Sequence, residues 1–418
     1  PGVGRSASAA VSSWSWGWSS DSAESGRWVR DRSHWTAATR ERTIDREMVV
    51  RRPADVSIGP THPTRWWHRL SDGRIQCDVC PRGCRLHEGQ RGFCFVRACH
   101  DDAVVLTTYG RSSGFCIDPI EKKPLGHFLP GTPTLSFGTA GCNLGCAFCQ
   151  NWQVSTSREW DTLADSATPE DIAAAALAHG CRSVAFTYND PAVFLEYAVD
   201  VAEACHEADL RTVAVTAGYI EPGPAAELFE AMDAANVDLK AFDDDTYRRF
   251  CLGRLAPVLE TLEAIADDGR TWLEITTLLI PGLNDSDEEV EALTSWIAEH
   301  LGPSVPLHFT AFHPDHRMRD RPPTPAGTLR HARAIGLANG LRYVYTGNID
   351  DPQGQATWCH ACERLLIGRC GYRISEWQLT GDGACAHCGA PCAGTFEPEP
   401  GHWGSRRQPV AISGGRTR

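Results

Sequence analysis

The sequence has no long hydrophobic run and little positive charge. No stretch approaches the roughly 18 consecutive apolar residues that a transmembrane helix requires, so we expect no membrane span. Lys and Arg number 40 against 53 Asp and Glu, which gives a formal net charge of -13. This shortage of cations argues against a surface that binds nucleic acid or another polyanion. With 42% hydrophobic and 22% charged residues, the composition is that of a soluble globular protein.

The first 60 residues lack hydrophobic periodicity and differ in composition from the rest. Residues 1–47 are rich in Ser, Ala and Trp, and the first of only three methionines is Met48. We expect residues 1–60 to form a disordered extension. Its first 47 residues are either an upstream translation that the cell does not make or an interaction segment that carries tryptophans. A second disordered tail is expected over residues 401–418.

Cysteine, in contrast, is plentiful and clustered. The 18 cysteines include three groups: Cys77, Cys80, Cys84 and Cys94; Cys142, Cys146 and Cys149; and Cys359, Cys362, Cys385 and Cys388. Secretion with disulfides is one explanation, but we find no convincing signal peptide, and the chain is too large for a disulfide scaffold. The C-x2-C and C-x3-C spacings favour metal binding in a reducing compartment, which predicts a cytoplasmic location.

From residue 134 onward, β-rich runs alternate with helical patterns. The candidate strands cover residues 134–139, 183–188, 211–216, 235–240, 272–280, 306–312 and 342–347. A clear helix signal between them is Thr168 as N-cap, followed by Pro169 in the first turn and Gly180 as a stop. This alternation predicts an α/β fold with a parallel sheet, either a closed or partial (β/α) barrel or an open doubly wound sheet.

Unusual residues follow the ends of these strands again and again, which favours a barrel, because barrel strands meet at one active-site mouth. They are Cys142, residues 189–190, residues 216–218, Lys240, residues 281–285, His313 and Asn348. We therefore predict a partial (β/α) barrel of roughly six strands over residues 127–350. A Cys-rich module over residues 61–126 would precede it, and a small module over residues 351–400 would follow.

The segment "GCNLGCAFC" places three cysteines in one loop directly after the first strand. Three thiolates can hold three corners of a [4Fe–4S] cluster and leave the fourth iron without a protein ligand. The amino and carboxylate groups of S-adenosylmethionine (SAM) can chelate that open iron. One electron then releases a 5′-deoxyadenosyl radical, which abstracts hydrogen from a substrate. The alternative is a zinc loop that takes its fourth ligand from elsewhere.

This motif resembles that of the radical SAM superfamily, in the branch similar to pyruvate formate-lyase activating enzymes. More narrowly, the chain resembles the radical SAM enzymes of the AmmeMemoRadiSam system. The resemblance extends from residue 77 to residue 396 through "CDVCPRGCRLHEGQRGFCFVR", "IDPIEKKPLGHFLPG", "TYNDPAVFLEYA", "NVDLKAF", "LLIPGLND" and "YVYTGN". It implies the radical SAM type of barrel and a [4Fe–4S] cluster on Cys142, Cys146 and Cys149, with SAM bound beside it.

The resemblance also implies residues that bind SAM. The segment "YNDP" stands where the superfamily has Gly-Gly-Glu-Pro, which makes Asn189 and Asp190 candidates near the amino group, with Asp190 one methylene shorter than the usual Glu. The segment "TAG" stands where many relatives have Thr-Asn-Gly. Thr216 is therefore a candidate, whereas Ala217 has lost the amide side chain.

Three further candidates come from later strands. The segment "DLK" puts Asp238 and Lys240 where activating-enzyme relatives face the ribose and carboxylate of the cofactor. A lysine opposite a carboxylate also makes electrostatic sense, although Lys240 could equally lie at the rim of the barrel. His308 is a weaker candidate, because a histidine in a strand is often a hydrogen-bonded core residue.

The C-terminal cysteines form two C-x2-C knuckles on either side of a predicted hairpin. A tetrahedral zinc ion on Cys359, Cys362, Cys385 and Cys388 would hold together a zinc ribbon too small to fold alone. A rubredoxin-like iron site has the same ligands. Cys370 and Cys392 fall outside this pattern and are expected to be packed thiols.

The N-terminal cysteines have the spacing C-x2-C-x3-C-x9-C, from Cys77 to Cys94. Zinc on these four thiolates would make a structural lid, and a second [4Fe–4S] cluster would make an electron relay. We prefer zinc, and a second cluster is the alternative. Cys99 and Cys116 are alternative ligands.

Between this cluster and the barrel, residues 118–131 combine charge, proline and glycine. We expect a loop folded over the barrel mouth. It is either a substrate-facing segment with Glu121 and Lys122 pointing inward or an ordinary solvated linker.

Together these features predict a radical SAM enzyme. An external flavodoxin or ferredoxin would supply the electron, because no flavin fingerprint such as GxGxxG stands out. Similarity to activating enzymes suggests a protein or peptide substrate, such as a backbone glycine that becomes a glycyl radical. The AmmeMemoRadiSam resemblance implies Memo-type and AMMECR1-type partners. The alternative from another class is a non-catalytic metal-binding module that acts through its cysteine knuckles.

Overall fold

The structure is a computed structural model that describes residues 61–157, 163 and 165–412, and a parallel sheet forms its centre. The expectations for residues 1–60 and 413–418 therefore lie outside the described residues. The parallel strands are β1 (Pro133–Phe137), β2 (Ser183–Phe186), β3 (Arg211–Thr216), β4 (Ala234–Asp238), β5 (Trp272–Leu279), β6 (Leu307–Ala311) and β7 (Val344–Gly347). All seven predicted strands are confirmed, so the sheet has one parallel strand more than the approximate six.

The order of these strands in the sheet follows their order in the chain, without a reversal. A doubly wound sheet reverses direction at a switch point, so this topology is that of a barrel. Two antiparallel strands, Phe115–Pro119 and Gln408–Val410, extend the sheet beyond β1. Within the described part of the chain β7 pairs only with β6, which leaves the barrel open. Residues 401–418 were expected to be disordered, and that prediction is wrong for residues 408–410, which form this strand.

One helix of nine or more residues connects each pair of consecutive parallel strands. These are α1 (Pro169–Ala178), α2 (Leu195–Glu207), α3 (Pro222–Glu230), α4 (Ala256–Asp268), α5 (Asp287–Trp296) and α6 (Ala326–Ala338). Helix α1 begins as predicted: the Thr168 hydroxyl accepts from the Asp171 amide at 3.2 Å, and the Asp171 carboxylate accepts from the Thr168 amide at 3.1 Å. No helix in the described ranges is both long and apolar enough to cross a membrane.

The two faces of the sheet pack against different parts of the chain. Val184 and Phe186 belong to the core that includes the helices, whereas Ala185, between them, points to the other face. There it meets residues 118–131, whose side chains Ile120, Leu125, Phe128 and Leu129 also pack on Val213 and Ala234.

Residues 118–131 are therefore a packed segment that fills the sheet face opposite the helices, and the linker interpretation is wrong. The predicted inward pair also needs correction. Glu121 is half-buried as expected, but the Lys122 side chain is 36% exposed. The inward lysine is Lys123, whose side chain is 3% exposed and forms an ion pair with the buried Asp118 at 2.8 Å.

Small antiparallel sheets lie on either side of the barrel in the chain. Before it, Trp67–Arg69, Ile75–Cys77 and Arg85–Leu86 form one sheet, and His62–Pro63, Arg97–His100 and Ala103–Leu106 form another. After it, Thr357–Trp358, Leu365–Cys370 and Arg373–Trp377 form the predicted hairpin and one more strand. The described residues from 61 onward belong to one contiguous unit, and the module boundaries stay predictions.

Candidate active site

The three-cysteine loop begins at the C-terminal end of β1, beside the loops that follow β2 and β3. Phe137 in β1 lies next to Phe186 in β2, which lies next to Ala214 in β3, so these parallel strands end at the same edge of the sheet. The loops that leave this edge carry Cys142, Asp190 and Thr216. Parallel pairing thus brings together residues that are far apart in the sequence.

The thiols of Cys142, Cys146 and Cys149 are half-buried. Burial raises the pKa of Cys142 and of Cys149, and a hydrogen bond to the Cys251 thiol is the largest cause that raises the pKa of Cys146. Without metal, all three therefore hold their protons at neutral pH. Metal binding here must release protons, because the thiolate is the ligand.

The distances between these three sulfur atoms distinguish a site for a cluster from a site for a single metal ion. Around tetrahedral zinc, a Zn–S bond of about 2.3 Å puts the sulfur atoms about 3.8 Å apart. The three sulfur atoms of the loop do not all lie within 4.8 Å of one another. Thiolates bound to three different irons of one cluster stand further apart than thiolates on one ion, so the donor set and its spacing fit a [4Fe–4S] cluster better than zinc.

The Asn189 side chain binds the backbone that leads into this loop. Its side-chain oxygen accepts from the Thr139 amide at 3.0 Å, and its NH2 group donates to the carbonyls of Ala140 at 3.3 Å and Gly141 at 2.9 Å. The amide thus fixes the backbone immediately before Cys142.

Asp190 joins the loops after β2 and β3. Its buried carboxylate accepts from the Thr216 hydroxyl at 3.1 Å, from the Ala217 amide at 2.8 Å and from the Ala192 amide at 3.0 Å. Burial raises its pKa even though these donors favour the charged form. In the structure, Asp190 and Thr216 therefore bind each other, and their proposed contact with SAM stays a prediction.

Asp238 and Lys240 likewise form a pair at the end of β4. The Lys240 ammonium lies 2.8 Å from an Asp238 carboxylate oxygen, with the lysine side chain 16% exposed. Burial alone would lower the pKa of Lys240, but the charge of Asp238 and its hydrogen bond to the ammonium raise it well above its usual value. The Lys240 carbonyl accepts from the Asn284 side chain at 2.8 Å, which ties this loop to the one after β5. A permanent cation thus stands near the cysteine loop.

His308 lies apart from this group. It projects from β6 on the sheet face opposite the helices, where its Nε2 lies 2.6 Å from the fully buried carboxylate of Glu274. Its ring stacks on that of Tyr345 with 5.0 Å between centroids. These contacts are those of a hydrogen-bonded core histidine, which was the alternative interpretation of His308. A contact between His308 and SAM stays a prediction.

Three residues near the loop escaped the sequence reasoning. Cys251 lies against Cys146, and its backbone carbonyl accepts from the Gly145 amide at 2.9 Å. Arg82, from the N-terminal cysteine segment, donates to the carbonyls of Asn143 and Leu252. The Asn143 side chain donates to the Tyr219 carbonyl at 2.7 Å. No motif signals these contacts, because each joins segments that are distant in the sequence.

The four C-terminal cysteines form a tight tetrad. Sulfur atoms lie 3.6 Å apart between Cys359 and Cys388 and 3.7 Å apart between Cys362 and Cys385, and all four lie within 4.8 Å of one another. Amide donors from His387 and Cys388 lower the pKa of Cys385 to about 7, against the effect of burial. This is the spacing that one tetrahedral ion requires. Of the two remaining cysteines, Cys392 is packed as expected, but Cys370 is exposed.

The four N-terminal cysteines have a different arrangement. Cys77, Cys80, Cys84 and Cys94 line one small, partly enclosed cavity, together with Arg82, Arg97 and Asn143. Cys99 and Cys116 are buried elsewhere and do not line it. All 18 cysteines lie in the described residues and none forms a disulfide, which argues against the disulfide interpretation.

Comparison with known proteins identifies the family. Residues 137–295 match the Radical SAM superfamily. An uncharacterized protein of Methanocaldococcus jannaschii is 38% identical over 304 residues, which cover 73% of this chain and 90% of that protein. The pyruvate formate-lyase-activating enzyme of Clostridium pasteurianum is 26% identical over 178 residues, or 40% of this chain and 70% of that protein.

Two further matches are more distant. A 4-hydroxyphenylacetate decarboxylase activating enzyme of Clostridioides difficile is 24% identical over 180 residues, or 40% of this chain and 55% of that protein. A solved domain of a pyruvate-formate lyase-activating enzyme from Bacteroides vulgatus aligns with 40% of this chain and 99% of its own, at 16% identity and a TM-score of 0.36. The AmmeMemoRadiSam resemblance stays a prediction. With its three-cysteine loop inside the matched region and activating enzymes among its relatives, this chain belongs to the radical SAM superfamily and is a radical SAM enzyme.

Proposed function

We propose that this enzyme binds a [4Fe–4S] cluster and SAM at the C-terminal edge of the sheet and abstracts hydrogen from a protein or peptide. The observation that carries the proposal is the loop after β1, whose three half-buried sulfur atoms do not all lie within 4.8 Å of one another, as the ligands of one ion would. The relatives named as activating enzymes support a protein substrate, because their names describe action on another enzyme.

Cys142, Cys146 and Cys149 would hold the cluster, and no fourth cysteine belongs to their motif. When bound, the cluster and SAM supply a carbon-centred radical that can take hydrogen from an unactivated C–H bond. The residues of the chain position and protect these groups. Asn189 fixes the backbone before Cys142, and Asp190 fixes the neighbouring loops.

Lys240 supplies charge at this edge. Its ammonium offsets the negative charge of thiolate ligands, and its remaining donors can bind the carboxylate of SAM. Asp238 keeps the ammonium charged and orients it at 2.8 Å. This pair would therefore select a ligand that carries a carboxylate.

The electron would come from a flavodoxin or ferredoxin, and the C-terminal tetrad would hold zinc. The sulfur spacing of 3.6 and 3.7 Å supports a single tetrahedral ion there, and zinc is the usual structural choice. We expect the protein in the cytoplasm, where the reducing environment would keep its 18 cysteines from forming disulfides.

The first test is anaerobic turnover of reconstituted protein with dithionite and SAM, with 5′-deoxyadenosine measured by mass spectrometry. Cys146→Ala should reduce the product below detection. Cys181→Ala removes another buried thiol, outside all three groups, and should leave the product unchanged. Zinc content should be the same in all three proteins, which shows that each is folded.

Product from Cys146→Ala at the wild-type rate would contradict the ligand assignment. No product from fully loaded wild type would instead favour the non-catalytic metal-binding module.

The substrate can be tested by isotope transfer. Memo-type and AMMECR1-type proteins, prepared with deuterium on carbon, are each incubated with the enzyme, SAM and reductant. Deuterium in 5′-deoxyadenosine identifies the hydrogen donor directly. Product without deuterium in both reactions would exclude these two proteins as donors and leave the radical chemistry intact.

A further inference from the structure

Two sets of four cysteines differ in the spacing of their sulfur atoms. The C-terminal sulfur atoms all lie within 4.8 Å of one another. In the N-terminal set of Cys77, Cys80, Cys84 and Cys94, no three sulfur atoms meet that condition. The four cysteines nevertheless line the same cavity.

We propose that Cys77, Cys80, Cys84 and Cys94 hold a polynuclear iron–sulfur cluster and not zinc. One zinc ion needs four sulfur atoms about 3.8 Å apart. The N-terminal sulfur atoms instead stand around a small, partly enclosed cavity that all four cysteines line. Ligands that bind different irons of one cluster require such a separation, with inorganic sulfide and iron filling the space between them.

The same chain provides two internal references for this comparison. The C-terminal tetrad has the spacing of a single-ion site, with sulfur atoms 3.6 and 3.7 Å apart. The three-cysteine loop, which the family assigns to a cluster, has sulfur atoms that are not all within 4.8 Å of one another. The N-terminal set resembles the loop and not the tetrad.

The cavity is built to hold a fixed group. Arg97, which lines it, is 2% exposed and is anchored by the 1% exposed Glu196 at 2.5 Å. Arg82, also in the lining, is anchored by the Leu252 carbonyl at 2.5 Å, and its guanidinium lies 3.5 Å from the centre of the Phe93 ring. Two cations in the wall suit a site whose thiolate and sulfide ligands carry negative charge.

The cavity also adjoins the three-cysteine loop. Asn143, which lines it, directly follows Cys142. Gly141 has a φ of +76° and packs against the Cys94 carbonyl, where any side chain would collide. The protein would therefore carry two iron–sulfur sites whose cysteine segments are in contact.

The test removes the three cysteines of the loop after β1 and measures whether the protein still binds iron. A triple variant, Cys142→Ala, Cys146→Ala and Cys149→Ala, is reconstituted anaerobically with iron and sulfide. We expect two or four irons per chain with equal sulfide, about one zinc, and an electron paramagnetic resonance signal after reduction. About two zinc ions with no iron, or one iron without sulfide, would overturn the proposal.

Two additions to the triple variant locate the remaining iron. Adding Cys80→Ala and Cys84→Ala leaves two of the four thiolates, which should remove the iron and sulfide and leave the zinc, which reports on folding. Adding Cys99→Ala alters a buried cysteine of the same module outside the cavity and should leave the iron in place. Iron that survives the loss of both Cys80 and Cys84 unchanged would also contradict the proposal.

These outcomes do not depend on the proposed function. The triple variant lacks the three-cysteine ligands, so its iron content says nothing about SAM cleavage. If the wild type forms 5′-deoxyadenosine but the triple variant binds no iron, the proposal of a second cluster is overturned and the proposed function is not.

Discussion

Arg97 and Glu196 are joined by two hydrogen bonds in the interior, Nη1 to Oε1 at 3.2 Å and Nη2 to Oε2 at 2.5 Å. The two residues are 99 positions apart, and their side chains are 2% and 1% exposed. Arg97 lies in a strand of the Cys-rich segment, and Glu196 lies in the first turn of α2. The pair thus anchors that segment to the barrel.

Glu196→Gln should destabilise the protein strongly, because it leaves the guanidinium buried without an opposite charge. We expect the free energy of unfolding to fall by about 3–5 kcal/mol, measured by urea denaturation. The double variant Arg97→Met and Glu196→Leu removes both charges and should lose less than the single variant. A double variant that loses more, or a Glu196→Gln protein as stable as wild type, would contradict this account.

Asn189→Ala should loosen the three-cysteine loop, because it removes the hydrogen bonds to Thr139, Ala140 and Gly141. A loss of about 1.4 kcal/mol in loop stability would speed iron release to a chelator roughly tenfold. Asn236→Ala is the matched control. It also removes a buried asparagine, bonded to the Pro124 carbonyl at 2.8 Å, away from the loop. Equal release rates in the two variants would show that Asn189 has no special role.

Cys385→Ser should lower zinc by about one ion per chain, because the C-terminal tetrad then has three thiolates. Hydrogen exchange should rise in the hairpin strand Leu365–Cys370, since the ion stabilises this small sheet. Cys370→Ser alters an exposed thiol of the same strand outside the tetrad and should keep its zinc. The prediction fails if both variants retain the same zinc content.

His127 should make the protein less stable in acid. Burial lowers the pKa of this histidine to about 4, while Glu274 acts in the opposite direction and Arg369 and His308 add to the lowering. The unfolded chain takes up a proton near pH 6.5 and the folded protein only near pH 4, so stability is lost as pH falls through this interval. The loss should reach about 3 kcal/mol by pH 4.

His127→Gln removes the titrating group and should show a smaller loss. Urea denaturation of both proteins at pH 7.5, 5.5 and 4.5 measures the difference, which cancels the acid effects common to both. Parallel pH dependence in the two proteins would show that His127 is not responsible.

Local pattern was enough to predict the strands of the barrel. Each strand is a short β-rich run, and each long helix between strands carries its own periodicity, so no distant contact is needed to recognise them. The helix start at Thr168 was likewise readable, because its capping box involves only Thr168 and Asp171. The three-cysteine loop was visible for the same reason.

Residues 118–131 show where such reasoning stops. Their charge, proline and glycine suggested either a loop over the mouth or a linker, yet Phe128 and Leu129 pack against the sheet. The strand Gln408–Val410 also pairs with Phe115–Ile117, almost 300 residues earlier in the chain. Both outcomes depend on surfaces that form only when distant segments meet.

The sequence by itself determined which residues share a loop, and therefore which cysteines can act together. It also determined the alternation of strands and helices that brings the ends of the strands to one edge. Only the tertiary structure decided the distances between sulfur atoms, and so which cysteines suit a single ion and which suit a cluster. The physical reason is that spacing along the chain limits how far apart two thiols can lie, whereas the packing of Arg97, Gly141 and their neighbours sets how far apart they do lie.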